Sequence, residues 1–258
     1  MRERLNRAWR VLATGLCFAV FGLGGLVVRC LVYPLLLLLV RDKQRRQVQS
    51  QAVIHHSFRW FVSLMKRVGV LSFEVRGLER LQRRGLLILA NHPSLIDVVF
   101  LISLVRHADC IVKAGLARNP FTRGPIEAAG FITNSGGGAL LEDCLRSLQA
   151  GHNLIIFPEG TRTPLQGAVK LQRGAAHVAV KGRIPITPVH IHSSLPMLTK
   201  GTPWWRVPLR KPHFTIEVRE DIAIDTFCAR ATSEVLAARH VTEYLSEQLF
   251  KEPSRASA

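Results

Sequence analysis

The sequence lacks paired cysteines. Its five, Cys17, Cys30, Cys110, Cys144 and Cys228, are odd in number, and none stands in a C-x-x-C spacing. That pattern argues against a disulfide framework and against a zinc site, and it suits a reduced cytoplasmic environment. Each cysteine reads as a small buried hydrophobe. There is no internal repeat and, apart from the short Gly136-Gly137-Gly138 run, no low-complexity tract. Acidic residues are scarce: 18 Asp and Glu stand against 35 Lys and Arg, leaving a formal charge of +17. An excess of that size asks for a polyanionic partner, either nucleic acid or an anionic membrane surface. No zinc spacing, RNP-like aromatic motif or contiguous basic run of five or more accompanies it, so nucleic acid is not the expected partner.

Apolar residues, by contrast, are plentiful. Hydrophobic side chains make up 48% of the 258 residues, which supports one large α/β domain with an appendage and excludes disordered and collagen-like classes. The charge is unevenly spread. Residues 1–60 hold ten Lys and Arg against two acids, residues 61–212 twenty against eight, and residues 213–258 five against eight. The excess therefore belongs to the N-terminal segment and the body, while the tail is acidic.

From Val11 to Val40 the chain is apolar except for Arg29, with Arg2, Arg4, Arg7 and Arg10 before it and Arg41, Lys43, Arg45 and Arg46 after it. As one helix it would be roughly 45 Å long against roughly 30 Å of hydrocarbon, enough for a tilted span. A hairpin of two shorter helices, broken near Gly22, Gly24 and Gly25 or at Arg29 and Pro34, is the other arrangement. Basic residues on both flanks favour both ends on the cytoplasmic side, hence a re-entrant or monotopic anchor. A cleaved signal peptide fits less well, because the apolar stretch outruns a usual signal core and no small-x-small site follows before the basic cluster.

Beyond a helix at about 45–68, short β-branched apolar runs alternate with helical patterns. Strands are expected at Val70–Val75, Leu86–Ala90, Cys110–Lys113, Gly130–Thr133, Leu154–Phe157, Ile186–Ile191 and Phe214–Val218. Helices are expected at Leu95–Val105, Ala139–Ala150, Gln172–Val180 and Thr232–Phe250. The alternation predicts an α/β fold with a largely parallel central sheet flanked by helices, whose ligands gather at the carboxyl ends of the strands.

Two polar clusters fall at such ends. In Asn91-His92-Pro93-Ser94-Leu95-Ile96-Asp97 the helix after the strand can return the Asp97 carboxylate to the His92 imidazole. So held, His92 is a general base able to take a proton from a hydroxyl. Ser94-x-x-Asp97 is equally a capping box with Asp in place of Glu. No nucleophile accompanies the pair, since Ser94 sits in no Gly-x-Ser-x-Gly elbow, so the activated hydroxyl would belong to a substrate. In Phe157-Pro158-Glu159-Gly160-Thr161-Arg162, the Arg162 guanidinium suits a phosphate and the Gly160 and Thr161 amides add donors. A Glu–Arg pair closing a surface turn explains the same residues. Lys113, near another strand end, could add charge to the same pocket, although snorkelling at a surface is the commoner fate of a lysine. Smaller features are Lys200–Arg206, where paired tryptophans mix with basic residues as at a membrane interface or equally in an ordinary packed loop, and His55-His56, which read as surface or helix residues.

Together and in this order the clusters resemble the glycerophospholipid (lysophosphatidate-type) acyltransferase family over roughly residues 70–220. The family's Asn-His-x4-Asp block is matched by Asn91, His92 and Asp97, and its Phe-Pro-Glu-Gly-Thr-Arg block by Phe157 to Arg162. Lys113, Leu116 and Pro120, then Arg173-Gly174-Ala175, then Ile184 to Val189 match further blocks. The resemblance implies acyl transfer from acyl-CoA or an acyl-carrier protein to a lysolipid hydroxyl. His92 would be the base and Asp97 its orienting partner, with Lys113, Glu159, Gly160, Thr161 and Arg162 binding substrate, and with no cofactor, metal or covalent acyl-enzyme. The apolar N-terminus, read independently from its own residues, fits such an enzyme, and the expected division is an anchor and helical segment over 1–68 and an acyltransferase domain over 69–258, on the cytoplasmic face of the inner membrane. One departure stands out: where the family carries an Arg after Phe-Ile-x, this chain has Asn134 after Phe131-Ile132-Thr133.

Overall fold

The structure is a computed structural model that describes residues 2–134, 139–167 and 169–250. The Gly136-Gly137-Gly138 run lies outside the described residues. Seven strands form one sheet: β1 (Ser72–Arg76), β2 (Leu87–Ala90), β3 (Ala108–Lys113), β4 (Ile132–Asn134), β5 (Asn153–Ile156), β6 (Ile186–Ser193) and β7 (His213–Val218), in the order β1-β7-β6-β2-β5-β3-β4. Every neighbouring pair is parallel except β6 with β7. Each expected strand overlaps an observed one. The central strands β2 and β5 are buried throughout, because continuous apolar runs such as Leu87-Ile88-Leu89-Ala90 suit a sheet covered on both faces.

The period-two alternation of β2 separates two cores. Ile88 and Ala90 face one side, and Leu87 and Leu89 face the other. The first side is covered by α1 (Arg2–Val27), α3 (Lys43–Arg67) and α4 (Asp97–Leu104), which contribute Ala13, Cys17, Ile54, Phe61, Val62 and Phe100. The second is covered by α7 (Ala139–Gln149), α8 (Gly174–Gly182) and α10 (Glu234–Phe250). The short helices α5 (Ala114–Arg118), α6 (Pro120–Ala129) and α9 (Asp225–Arg230) and a 3₁₀ turn at Leu78–Leu81 were not expected. Helix α6 forms although it contains Gly124 and Pro125, both poor helix formers. It starts with Pro at the first helical position, where no N–H is needed, under an Asn119 cap.

The N-terminal glycines do not break the helix. α1 continues through a π-helical turn at Val28–Val32, which absorbs Arg29, into α2 (Tyr33–Leu39). The chain reverses after Leu39, and Asp42 starts α3 by accepting from the Arg45 N–H at 2.6 Å. α3 then returns antiparallel to α1: Trp9 Nε1 donates to the Val68 carbonyl, and Phe21 packs on Phe58 and Phe61. Among the described residues, Glu3–Leu39 is the one helical stretch long and apolar enough to cross a membrane, judged by length and composition.

Glycine matters where α1 and its π turn meet α6. A Cβ on Gly25 would collide with the Phe121 carbonyl oxygen, and one on Gly124 with the Arg29 backbone and Cβ. Neither obstacle is the free end of a flexible side chain. Gly124→Val is therefore expected to cost roughly 1–3 kcal/mol by overpacking, read as a lower unfolding midpoint of the detergent-solubilised protein. An unchanged midpoint would show that the two helices can separate freely.

Candidate active site

Sheet register brings the two clusters together. β2 and β5 are parallel neighbours with Leu89 opposite Ile156. His92 and Glu159 each lie three residues further on, so the two loops leave the sheet side by side although 67 residues separate them. This is the carboxyl edge of the parallel strands, where α/β sheets open a crevice.

His92 is held from several directions. Its Nδ1 lies 2.9 Å from Asp97 Oδ2, which also accepts from the Ser94 N–H at 2.6 Å, while Oδ1 accepts from the Ser94 hydroxyl. Asp97 is wholly buried as the first residue of α4. Burial pushes its carboxyl up, and the donors from His92 and Ser94 pull it back. With an acceptor fixed at Nδ1, the ring carries its proton there and leaves Nε2 free to take another. The ring stacks on Phe157, centroids 4.3 Å apart. The capping-box reading of Ser94 and Asp97 is thus realised together with the His92 contact, because the two oxygens of one carboxylate serve both.

The hexad divides its labour. Glu159 is 5% exposed, and its Oε1 accepts from the His92 N–H at 2.7 Å and the Thr163 hydroxyl at 2.8 Å. Burial pushes its carboxyl up against those donors. The Thr163 N–H donates to the His92 carbonyl at 2.7 Å, so the two loops are laced in both directions. Arg162 turns elsewhere, its Nη1 donating to the carbonyls of Leu198 and Thr199 at 2.9 and 3.0 Å. Asn91 fixes the other side of the histidine loop by exchanging both amide hydrogen bonds with the Ile191 backbone, at 2.8 and 2.6 Å.

A cavity of about 1810 Å³ opens in front of this constellation. His92, Lys113, Gly160, Thr161 and Arg162 line it, as does Asn134, paired in register with Lys113 at the end of β4. Asp97 and Glu159 stand behind the lining and act on it through His92. The remaining walls are mainly apolar and come from α1, α3 and α6, with further residues from α4, α7 and α8. His56 also reaches the cavity, whereas His55 is buried with Nδ1 at the Ile102 carbonyl. Cys110 lines the cavity as well, but burial pushes its thiol up to about 12, so it stands protonated rather than as a thiolate nucleophile.

Residues 72–192 match the family model described as Acyltransferase. Both clusters, residues 91–97 and 157–162, lie inside this match, and the chain is similar to curated relatives of the same kind. Over 146 residues, 53% of this chain and 56% of the relative, it is 27% identical to the 1-acyl-sn-glycerol-3-phosphate acyltransferase of Pseudomonas aeruginosa. Over 164 residues, 58% of this chain and 55% of the relative, it is 30% identical to the human 1-acyl-sn-glycerol-3-phosphate acyltransferase beta. The chain thus spans little more than half the length of these curated relatives. Among solved structures, the 1-acyl-sn-glycerophosphate (LPA) acyltransferase PlsC of Thermotoga maritima superposes with a TM-score of 0.70. That likeness covers 98% of this chain and 100% of the other at 21% identity, and it shows a shared α/β architecture.

The sequence gives no sign of the parts that four residues play in the site. Thr163 carries no signal beyond following the hexad. The carbonyls of Leu198 and Thr199 have no side-chain signature at all. Phe157 reads as a strand end and serves as the stacking partner of His92.

Proposed function

We propose that the chain is a membrane-associated acyltransferase that moves a fatty acyl group from acyl-CoA or acyl-carrier protein to the free hydroxyl of 1-acylglycerol-3-phosphate, making phosphatidate. The observation that carries the reading is the His92–Asp97 contact of 2.9 Å at the wall of a large, mainly apolar cavity. His92 Nε2 takes the proton of the acceptor hydroxyl as that oxygen attacks the thioester carbonyl. The tetrahedral oxyanion then collapses, the C–S bond breaks, and the leaving thiolate recovers the proton from the imidazolium. The products are an ester and a free thiol, and no cofactor or metal enters the balance. Asp97 holds the ring and stabilises its charged form in the transition state. The cavity walls take the acyl chains, while Lys113 and Arg162 provide cations for an anionic head group.

The reading includes attachment to the cytoplasmic face of the inner membrane. Its support is the long apolar helix with basic residues on both flanks, and exposed Leu5, Leu12, Leu16, Leu23 and Leu38 along it.

A second reading, the same chemistry on a different lysolipid, is favoured by Asn134, whose amide lacks a guanidinium's charge where the resembling family carries Arg. A panel of lysolipids offered with acyl-CoA or acyl-carrier protein decides. Lysophosphatidate is expected to be acylated fastest. Preference for another lysolipid would select the second reading, and no transfer from either donor to any of them would remove both.

A further inference from the structure

The cavity has three fully charged side chains in its lining, Lys113, Arg162 and Lys200, and among the described residues no carboxylate lines it. Lys200 lies beyond the segment that matches the family, in the loop between β6 and β7. Backbone geometry places it beside Arg162. The Arg162 guanidinium spends Nη1 on the carbonyls of Leu198 and Thr199, the two residues that precede Lys200. Leu198 adopts φ +54°, a left-handed conformation costly for leucine, and its carbonyl also accepts from the Leu95 N–H at 3.1 Å. Thr199 to Thr202 then form a tight turn. The Thr202 N–H reaches the Thr199 carbonyl at 3.2 Å, the two hydroxyls meet at 2.8 Å, and Gly201 supplies the positive φ of +76° that a type II turn needs. Lys200 is the first corner of that turn, exposed and with no ion-pair partner among the described residues.

An ammonium held on a pinned turn, next to a guanidinium with one nitrogen already committed, makes a two-cation clamp at the cavity wall. Such a clamp suits a phosphate monoester, which offers several acceptor oxygens and about two negative charges. We propose that Lys200 is a specificity-determining residue that, with Arg162, binds the phosphate of the acyl acceptor. The inference rests on the acyltransferase reading above and names the part of the site that selects an anionic head group.

The test is steady-state kinetics of Lys200→Gln and Lys200→Arg in the full chain, with lysophosphatidate as acceptor. The Gln variant is expected to raise the acceptor KM about tenfold, the size of one lost charge-assisted hydrogen bond. Its kcat, its donor KM and its co-sedimentation with anionic vesicles should stay within twofold of the parent, and the Arg variant should recover most of the acceptor KM. An unchanged acceptor KM would overturn the assignment. So would a rise confined to the donor KM, which would move Lys200 to the donor's phosphates, or weakened vesicle binding with both KM values raised alike, which would make it a membrane contact. Failure of the underlying reading looks different, because the unmodified protein would then not acylate lysophosphatidate at all.

Discussion

His92→Ala is expected to lower kcat by roughly 10²–10⁴-fold with any acceptor, the loss of a positioned general base from the transition state. The methyl group can neither take the hydroxyl proton nor return it to the leaving thiolate, and among the described residues that line the cavity no other base is held by a buried carboxylate. The backbone contacts that lace the site survive, because the residue-92 N–H still reaches Glu159 and its carbonyl still accepts from Thr163. What the fold loses is the ring's stack on Phe157 and its contact with Asp97, and a second measurement controls for both: the variant should still unfold cooperatively and associate with vesicles as the parent does. Initial rates with purified protein and a thioester donor read the effect. Turnover within tenfold of the parent would mean that another group takes the proton, and the mechanism proposed here would be wrong.

How far the sequence foretold this site depends on the kind of interaction. His92 and Asp97 were legible because they are five residues apart across a strand-to-helix turn, and local geometry alone can join them. The strands β2 and β5 were legible for a similar reason, since four consecutive apolar residues have few other places to go. Glu159 was legible as a site residue, but not in its orientation. A glutamate is usually exposed, and only the pairing of Leu89 with Ile156 aims it at a backbone N–H 67 residues away. The loop between β6 and β7 was illegible in its placement. It is tied down by long-range hydrogen bonds from Arg162 to Leu198 and Thr199 and from Arg10 to Pro208 and Leu209, and nothing in its local sequence encodes those partners. The N-terminal glycines misled in the opposite direction. Gly25 suggests a break, yet its missing side chain is what lets α1 approach α6, and an apolar helix keeps its own hydrogen bonds through such a position.

The same distinction separates the positive charge into parts. The acidic tail is partly consumed by the body: Asp221 pairs with Arg83 at 2.7 Å and Glu220 with Arg80 at 3.3 Å. Those pairs sit at the edge formed by the 3₁₀ turn and the end of β7, away from the cavity. Among the described residues the cations at the cavity have no acidic partner, which leaves Lys113, Arg162 and Lys200 available to an anionic ligand. The net charge therefore overstates what is free near the tail and understates how one-sided the site is.

Asp97→Asn probes the charge behind His92 with little change of shape. In the parent, one carboxylate oxygen accepts from His92 Nδ1 and the Ser94 N–H, and the other accepts from the Ser94 hydroxyl. An asparagine can present its carbonyl oxygen to the first two donors and its NH₂ to the Ser94 hydroxyl, which then accepts instead of donating. The substitution also removes a buried charge, so stability should change little. Catalysis should not be spared. A neutral amide no longer stabilises the imidazolium that forms when His92 takes the acceptor's proton, and kcat is expected to fall roughly 10²–10⁴-fold. KM for the acceptor should remain near that of the parent, because Asp97 lies outside the cavity lining. Asp97→Ala, by contrast, strands the Ser94 N–H and His92 Nδ1 without an acceptor and should lose both activity and stability. If Asp97→Asn instead keeps full kcat, the carboxylate serves as a helix cap alone, and His92 works without an electrostatic partner.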